Sequence, residues 1–354
     1  MTSGIRCMLM RGGSSKGAYF LAEDLPTDVG IRDDLILRIM GSPDIRQIDG
    51  IGGGHPLTSK VAIVSESKHD DADVDYQFLQ VDPGTRLVTD RQTCGNLLAG
   101  VAPFALERQL VPTNVGSTAV RIRSVNPTES FATATVQTPD GNVTYDGDEL
   151  MAGTLFPAAS IPLEFYGSGS SLFPTAHTRE HITGLPATCI DAGMPSVLIS
   201  AADLGLTGYE SPAELEDDQA LRQRIELLRL QAGSRMGLGD VHNTTVPKVC
   251  IISPPRFGGT ISTRTFIPHR VHTAIGVHGA VSVAAAVLAE DTIASQYRVP
   301  DERIEIEHPS GELEVAIALT GHGRDTALFS STIVRTARKL MDGTVWPRIE
   351  RTTK

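Results

Sequence analysis

Residues 96–110, NLLAGVAPFALERQL, and residues 277–290, VHGAVSVAAAVLAE, carry apolar or small side chains almost all the way round a helix. A helix with no polar face is buried on all sides. Elsewhere the chain reads as short strands at 18–21, 61–65, 74–81, 119–124, 131–137, 197–199, 248–252, 304–307 and 313–319. These runs are rich in β-branched residues and bounded by Gly, Pro, Asp or Asn. A buried helix in a strand-rich chain implies a sheet wrapped around it. Gly95 and Gly276, which open the two helices, lie about half the chain length apart, so the pattern repeats once. The expected class is α+β, with two pseudo-symmetric halves, each a β-barrel-like sheet around a central apolar helix. The Gly/Ser/Thr/His-rich stretch 167–184 is the expected linker. It divides the chain into 1–184 plus 333–354 and 185–332.

Two further helices are predicted outside these centres. One covers 31–40 and stops at Gly41-Ser42-Pro43. The other covers 211–232, with Ser211 as N-cap, Pro212 in the first helical position, Glu214 completing a capping box and Gly233 at the end. Asp140-Gly141 is a hairpin-type turn between strands at 131–137 and 142–145. The polar tail 348–354 is expected to be disordered.

The 354 residues are enough for two domains and a core that needs no disulfide or metal. The net charge of −11, with no Lys/Arg-rich run, argues against non-specific nucleic-acid binding. Cys7, Cys94, Cys189 and Cys250 form no CxxC pair, so neither a structural zinc site nor a disulfide framework is expected. With no signal-like start and no stretch of about 18 apolar residues, the expected location is the cytoplasm.

Several segments have the composition of a site for anionic chemistry. Gly12-Gly13-Ser14-Ser15-Lys16-Gly17 reads as an anion loop, and it lacks the Gly-Lys-Ser/Thr ending of a P-loop. The run Gly50–Gly54 fails as a dinucleotide fingerprint, because no helix follows Pro56. It reads instead as a tight turn, or as backbone that can approach a ligand closely ahead of Ser59 and Lys60. Lys60 stands at the edge of the apolar run Val61-Ala62-Ile63-Val64. Burial there disfavours the charged ammonium and suits a general base, against the simpler reading of a surface lysine. Cys94-Gly95-Asn96 opens the first buried helix, a position that favours a thiolate and offers N–H groups to a carboxylate. Arg264, His269, Arg270 and His272 make the approach to the second buried helix cationic. No carboxylate accompanies these histidines, and no metal site is expected.

Taken together and in order, these motifs resemble the PrpF family. The resemblance rests on Met10–Gly17, Gly41–Asp44, Gln47–Gly53, Thr58-Ser59-Lys60, Cys94-Gly95-Asn96, Asp191-Ala192-Gly193-Met194-Pro195, His308–Gly311 and Val334-Arg335-Thr336-Ala337-Arg338. It runs from about residue 5 to about residue 347. It implies a diaminopimelate-epimerase-like fold with the active site in a cleft between halves. It also implies Lys60 and Cys94 as catalytic residues, and Ser14, Ser15, Ser59, Gly95, Asn96, Met194, Arg264 and His272 as substrate contacts. Segments 57–61 and 97–108 are most similar to 4-oxalomesaconate tautomerases and isomerases of gallate and protocatechuate breakdown. The implied reaction is therefore relocation of a proton on a small unsaturated oxo-tricarboxylate, without metal or organic cofactor. The other expected partner is a second copy of the chain, as a homodimer. Racemases of this fold carry a second thiol before the second central helix. Here that stretch reads His272-Thr273-Ala274-Ile275-Gly276, which disfavours two-thiol racemisation. The alternatives are a 2-methylaconitate isomerase and a non-catalytic accessory of an aconitase-like enzyme.

Overall fold

The computed structural model describes residues 4–91, 94–126, 129–242 and 244–349; residues 350–354 of the polar tail lie outside the described residues. The chain forms two compact units, Met1–Glu164 with Val334–Lys354, and Phe165–Ile333. Among the described residues no helix is long and apolar enough to cross a membrane.

The elements of the first unit are β1 (Ile5–Gly12), β2 (Ser15–Leu21), α1 (Val29–Met40), β3 (Lys60–Glu66), β4 (Val74–Val81), β5 (Val88–Thr89), α2 (Gly95–Leu98), α3 (Val101–Glu107), β6 (Gly116–Ser124), β7 (Ser130–Thr138) and β8 (Ser160–Tyr166). The second unit holds β9 (Glu180–Ile182), β10 (Leu185–Asp191), β11 (Pro195–Ser200), α4 (Ala201–Leu204), α5 (Pro212–Asp217), α6 (Gln219–Arg235), β12 (Lys248–Ser253), β13 (Ile261–Phe266), α7 (Val277–Leu288), β14 (Arg303–His308) and β15 (Gly311–Thr320). The long β16 (Ala327–Val345) begins in the second unit and ends in the first.

In the first unit the strand order is β1-β2-β3-β4-β6-β7-β8-β16, and β16 pairs back to β1, which closes an eight-stranded barrel. From β1 to β7 the pairings run antiparallel, parallel, antiparallel, parallel, antiparallel. From β10 to β15 they run in the same sequence. Parallel neighbours need a crossover connection. In both units the first crossover carries an outer helix (α1, or α4 to α6) and the second carries the apolar helix (α2–α3, or α7). The repeat inferred from two apolar helices is thus a repeat of topology.

Side-chain alternation assigns the two faces of the first barrel. Ala18, Phe20, Val61, Ile63, Leu79 and Val81 pack outward with Leu35, Ile36, Ile39 and Met40 of α1. Their odd-even partners face inward, as the period of two requires. Inside, the Tyr19 hydroxyl donates to the Leu97 carbonyl of α2 at 2.5 Å. A Cβ on Gly17 would stand 2.9 Å from Leu97, and one on Gly100 would stand 2.3 Å from the Tyr19 hydroxyl. The helix can lie this close to β2 only because both positions lack a side chain. In the second unit α7 packs in a core with Ile190, Leu198, Cys250, Ile252, Ile261, Ile304 and Val315. The opposite face, with Val197, Val249, Ile251 and Phe266, is covered by Leu221, Ile225 and Leu228 of α6.

The structure corrects four expectations. The helix over 211–232 is two helices. The Ser211–Glu214 capping box forms, but the chain breaks at Asp218, whose side chain accepts from the Leu221 N–H and starts α6. α6 runs on through Gly233 to Arg235, and the left-handed turn falls at Gly237. The first apolar helix is also broken, at Ala99-Gly100. The Asp140-Gly141 turn forms, with the Gly141 N–H donating to Thr138, but 142–145 is not a strand. The stretch 167–184 packs with the second unit. Leu172 and Phe173 join its core, the Leu172 N–H donates to the Thr326 carbonyl, and β9 pairs with β10.

Candidate active site

Lys60 is the first residue of β3 and pairs with Gly17 on one side and Gln80 on the other. It points into the first barrel and is 8% exposed. Its ammonium donates to Gln80 Oε1 at 2.9 Å and lies 5.0 Å from the Phe78 ring centre. Among the described residues no carboxylate pairs with it. The Gln80 amide nitrogen donates to the carbonyls of Pro56, Ser59 and Val81. Those three bonds fix which end of the amide faces Lys60. Gln80 therefore both aims the lysine and clamps the loop that precedes it. The residue went unnoticed in the sequence, although Tyr76, Phe78 and Gln80 alternate inward along β4.

Cys94 is the N-cap residue of α2, with its carbonyl accepting from the Leu98 N–H. It is 9% exposed, whereas Cys7, Cys189 and Cys250 are fully buried. Burial pushes the Cys7 and Cys189 thiols up to about 12 and that of Cys250 up to about 11, as expected of inert core thiols. Burial also pushes the Tyr19 and Tyr76 phenols well up, and the neighbouring Cys94 adds to both shifts. The thiol thus sits among two phenols held neutral. Because α2 has only four residues, few peptide dipoles align behind Cys94, and the helix-dipole argument made from sequence loses most of its force. The N–H groups at Gly95 and Asn96 still lack partners within the helix.

The anion loop is a two-residue hairpin between β1 and β2. The Gly13 N–H donates to the Thr336 carbonyl at 2.9 Å. Arg11 Nη1 ties the turn down through Gly13 O, Thr336 O and Thr336 Oγ1. Gly13 has φ 54°, and a Cβ there would strike the Asn96 side chain at 2.4 Å, so only glycine fits beneath Asn96. Ser14 is half-buried and Ser15 buried, facing the barrel interior.

Ser59 departs from its expected role. It is fully buried, and its hydroxyl donates to Gln47 Oε1 at 2.6 Å. The same Gln47 oxygen accepts from the Gly54 N–H at 2.9 Å, and a Cβ on Gly52 would stand 2.2 Å from it. The glycine run wraps the Gln47 side chain, and Ser59 completes that latch.

Three expected contacts belong to the second unit. Met194 follows the Gly193 turn between β10 and β11, and its carbonyl accepts from Ser196 and from Ser282 of α7. The His272 ring accepts from the Ala274 N–H through Nδ1, and its pKa is lowered by burial and then by Lys248. At neutral pH it is an uncharged ring with its proton on Nε2. Arg264 is placed differently from expectation. It pairs with Ile251, so it shares the α6 face of the sheet and not the α7 face. Its Nε and Nη1 donate to the carbonyls of Glu210 and Thr263. The alternation along β13 puts Thr263 and Thr265 toward α7, and the cationic reading from sequence had ignored that parity.

The family model described as PrpF protein matches residues 2–348. The chain belongs to the PrpF family. It is 52% identical over 349 residues to the 4-oxalomesaconate tautomerase of Pseudomonas putida, covering 96% of this chain and 95% of that one. It is 49% identical over 348 residues to the (4E)-oxalomesaconate Delta-isomerase of Novosphingobium sp., covering 96% of each. A 2-methyl-aconitate isomerase of Shewanella oneidensis is 33% identical, with 95% of each chain covered. Among solved structures, a methylitaconate-delta-isomerase superposes with a TM-score of 0.88 at 29% identity, covering 97% of this chain and 95% of that one. A hydroxyproline epimerase from Agrobacterium vitis matches with a TM-score of 0.54 at 14% identity, covering 98% and 94%, a likeness of fold alone. The fold expected from the two apolar helices is the fold this PrpF chain has.

Proposed function

We propose that this PrpF protein is an isomerase that relocates a proton on 4-oxalomesaconate or a closely similar unsaturated oxo-tricarboxylate. The observation that carries the reading is Lys60. It is a buried lysine on the inner face of the first barrel, bonded to a neutral amide and lying beside an aromatic ring, with no described carboxylate paired to it. An amine held in this way is positioned to act as a general base. The close relatives named for oxalomesaconate support the choice of substrate.

In the proposed reaction the Lys60 amine takes a proton from the carbon next to the keto group. The C–H electron pair moves into the carbonyl to give an enolate. Reprotonation at a different atom, from Lys60 or from the Cys94 thiol, completes the isomerisation with no net change in protons or electrons. The Gly95 and Asn96 N–H groups and the Ser14 hydroxyl are the proposed donors to the enolate and to a carboxylate.

The test is a proton NMR time course of 4-oxalomesaconate in D₂O, with and without enzyme. Loss of one C–H signal and growth of a product signal support the reading. A Lys60→Met variant with intact folding is expected to lose at least about 10³-fold in kcat, within the usual range for a positioned base. Normal turnover in that variant would refute the assignment. Turnover of 2-methylaconitate in place of 4-oxalomesaconate would move the substrate toward that of the Shewanella relative.

A further inference from the structure

We propose that Arg335 and Ser15 form a carboxylate-binding subsite on the inner face of the first barrel. The inference deepens the proposed isomerase reading and rests on it for the identity of the ligand, but not for its chemical class.

The register places the two residues on one face. Gly12 of β1 pairs with Ser15 on one side and with Ala337 on the other. Directly paired residues in a sheet share a face. The face is the inner one, because a Cβ on Gly12 would stand 2.8 Å from the Asn96 carbonyl of α2. Arg335 precedes Ala337 by two residues, so strand alternation turns it the same way. The bond from Gly13 to Thr336 places Arg335 alongside the Gly13-Ser14 turn. Arg335 and Ser15 thus stand two strands apart, roughly 10 Å across the sheet.

Both residues are buried with unused hydrogen-bonding capacity. Arg335 is 5% exposed. Its Nη1 donates to the adjacent Val334 carbonyl at 3.0 Å, and among the described residues its Nε has no acceptor. Among the described residues no carboxylate pairs with it. Ser15 is 2% exposed, and among the described residues its Oγ also has no partner. A buried cation without an acceptor is strongly unfavourable. The fully buried Arg229 is not left in that state. Arg229 donates to both oxygens of Glu226 at 2.7 and 2.8 Å, and to the carbonyls of Val241 and Val246. Burial pushes the Arg335 guanidinium down to about 10, which still leaves it charged at neutral pH.

A carboxylate matches this unused capacity. It offers two oxygens to the Nε side of a guanidinium and can accept from a serine hydroxyl as well. Lys60 belongs to the same inner face, through the row Gly17–Lys60–Gln80. The subsite is therefore suited to a carboxyl group remote from the reacting carbon of a polycarboxylic acid. It would orient the acid and contribute to affinity without taking part in the proton transfer.

The test compares the wild type, Arg335→Met and Ser15→Ala. Aconitate, a tricarboxylate without a keto group, is titrated calorimetrically. KM is measured with 4-oxalomesaconate, and thermal unfolding is followed for each protein. Arg335→Met is expected to weaken aconitate binding and raise KM by roughly 30- to 100-fold, the scale of a lost charge-assisted pair. Ser15→Ala is expected to raise KM about fivefold. Arg335→Met is also expected to raise the Tm, because it removes an unpaired buried charge. An arginine with only a structural role would lower it. Unchanged aconitate affinity and KM in Arg335→Met would overturn the proposal, as would a wild type that binds no aconitate. A wild type that binds aconitate through Arg335 but leaves 4-oxalomesaconate untouched would sink the isomerase reading and keep the subsite. If Arg335→Met fails to fold, unchanged binding in Ser15→Ala decides against the subsite.

Discussion

The two apolar helices occupy matching places in matching topologies, yet they begin differently. The first starts at Cys94, runs four residues, breaks at Ala99-Gly100 against Tyr19, and resumes as α3. The second starts at Gly276, where an added Cβ would meet nothing within 4 Å, and runs twelve residues without a break. Side chains reach the first helix start from the surrounding strands. Tyr19 bonds the Leu97 carbonyl, and Tyr76 reaches the Cys94 carbonyl at 3.5 Å. At the second, His278 lies against the Phe165 ring at 5.4 Å, and further along the helix Ser282 donates to the Met194 carbonyl and accepts from the Ala192 N–H. One topology thus carries a thiol set among phenols at one helix start and a buried imidazole against an aromatic ring at the other. Both proposed reacting side chains, Lys60 and Cys94, belong to the first unit.

Of changes at the two helix starts, the largest effect should come from the thiol itself. Cys94→Ala is expected to reduce kcat by about 10²- to 10³-fold with folding preserved, as for loss of a positioned proton donor. Cys250→Ala removes a thiol that faces α7 in the second unit and hydrogen-bonds to Thr265. It should leave kcat within about twofold and cost about 1 kcal/mol of stability, the scale of a small core truncation. Equal losses of activity in the two variants would break the comparison.

A finer test uses the group that aims Lys60. Gln80→Glu replaces a neutral acceptor at 2.9 Å by a carboxylate. An adjacent negative charge favours the ammonium form, so a lysine acting as base becomes available only at higher pH. The rise of kcat/KM with pH should therefore move upward by about one unit or more. Gln80→Leu should instead lower kcat without moving the profile upward, because it frees both the lysine and the 56–59 loop. A pH profile unchanged in Gln80→Glu would mean that Lys60 is not the titrating base.

The sequence disclosed what depends on pattern. Two helices without a polar face, spaced by half the chain, were enough to infer the wrapped sheets. Lys60 and Cys94 stood out because each adjoins an apolar element. What stayed hidden depends on which face a side chain takes and on what encloses it. Arg335 looked like one cation among Arg335, Arg338 and Lys339. Only the closure of the barrel by β16 buries the first of these and leaves the other two exposed. The resemblance implied Ser59 as a substrate contact, but its buried hydroxyl donates to Gln47 Oε1. β16 itself escaped notice because its exposed half, Arg338–Gly343, reads as a polar loop and is held in the sheet by pairing with β1.

The smallest effect on activity should come from Arg264, and it separates two buried arginines, Arg264 and Arg335, by their roles. Arg264 lies on the α6 face and spends its donors on the carbonyls of Glu210 and Thr263. Arg335 lies on the inner face of the first barrel with an unused Nε. Arg264→Met leaves two carbonyls without their donors, which should cost about 2–3 kcal/mol of stability. KM should change by less than about twofold, because the guanidinium is committed to those two carbonyls. The pair of variants should then give opposite signatures, a lower Tm with unchanged KM for Arg264→Met and a higher Tm with raised KM for Arg335→Met. A KM that rises with Arg264→Met in protein of undiminished stability would return Arg264 to the substrate and leave the second unit with a larger share of the chemistry than its helix start suggests.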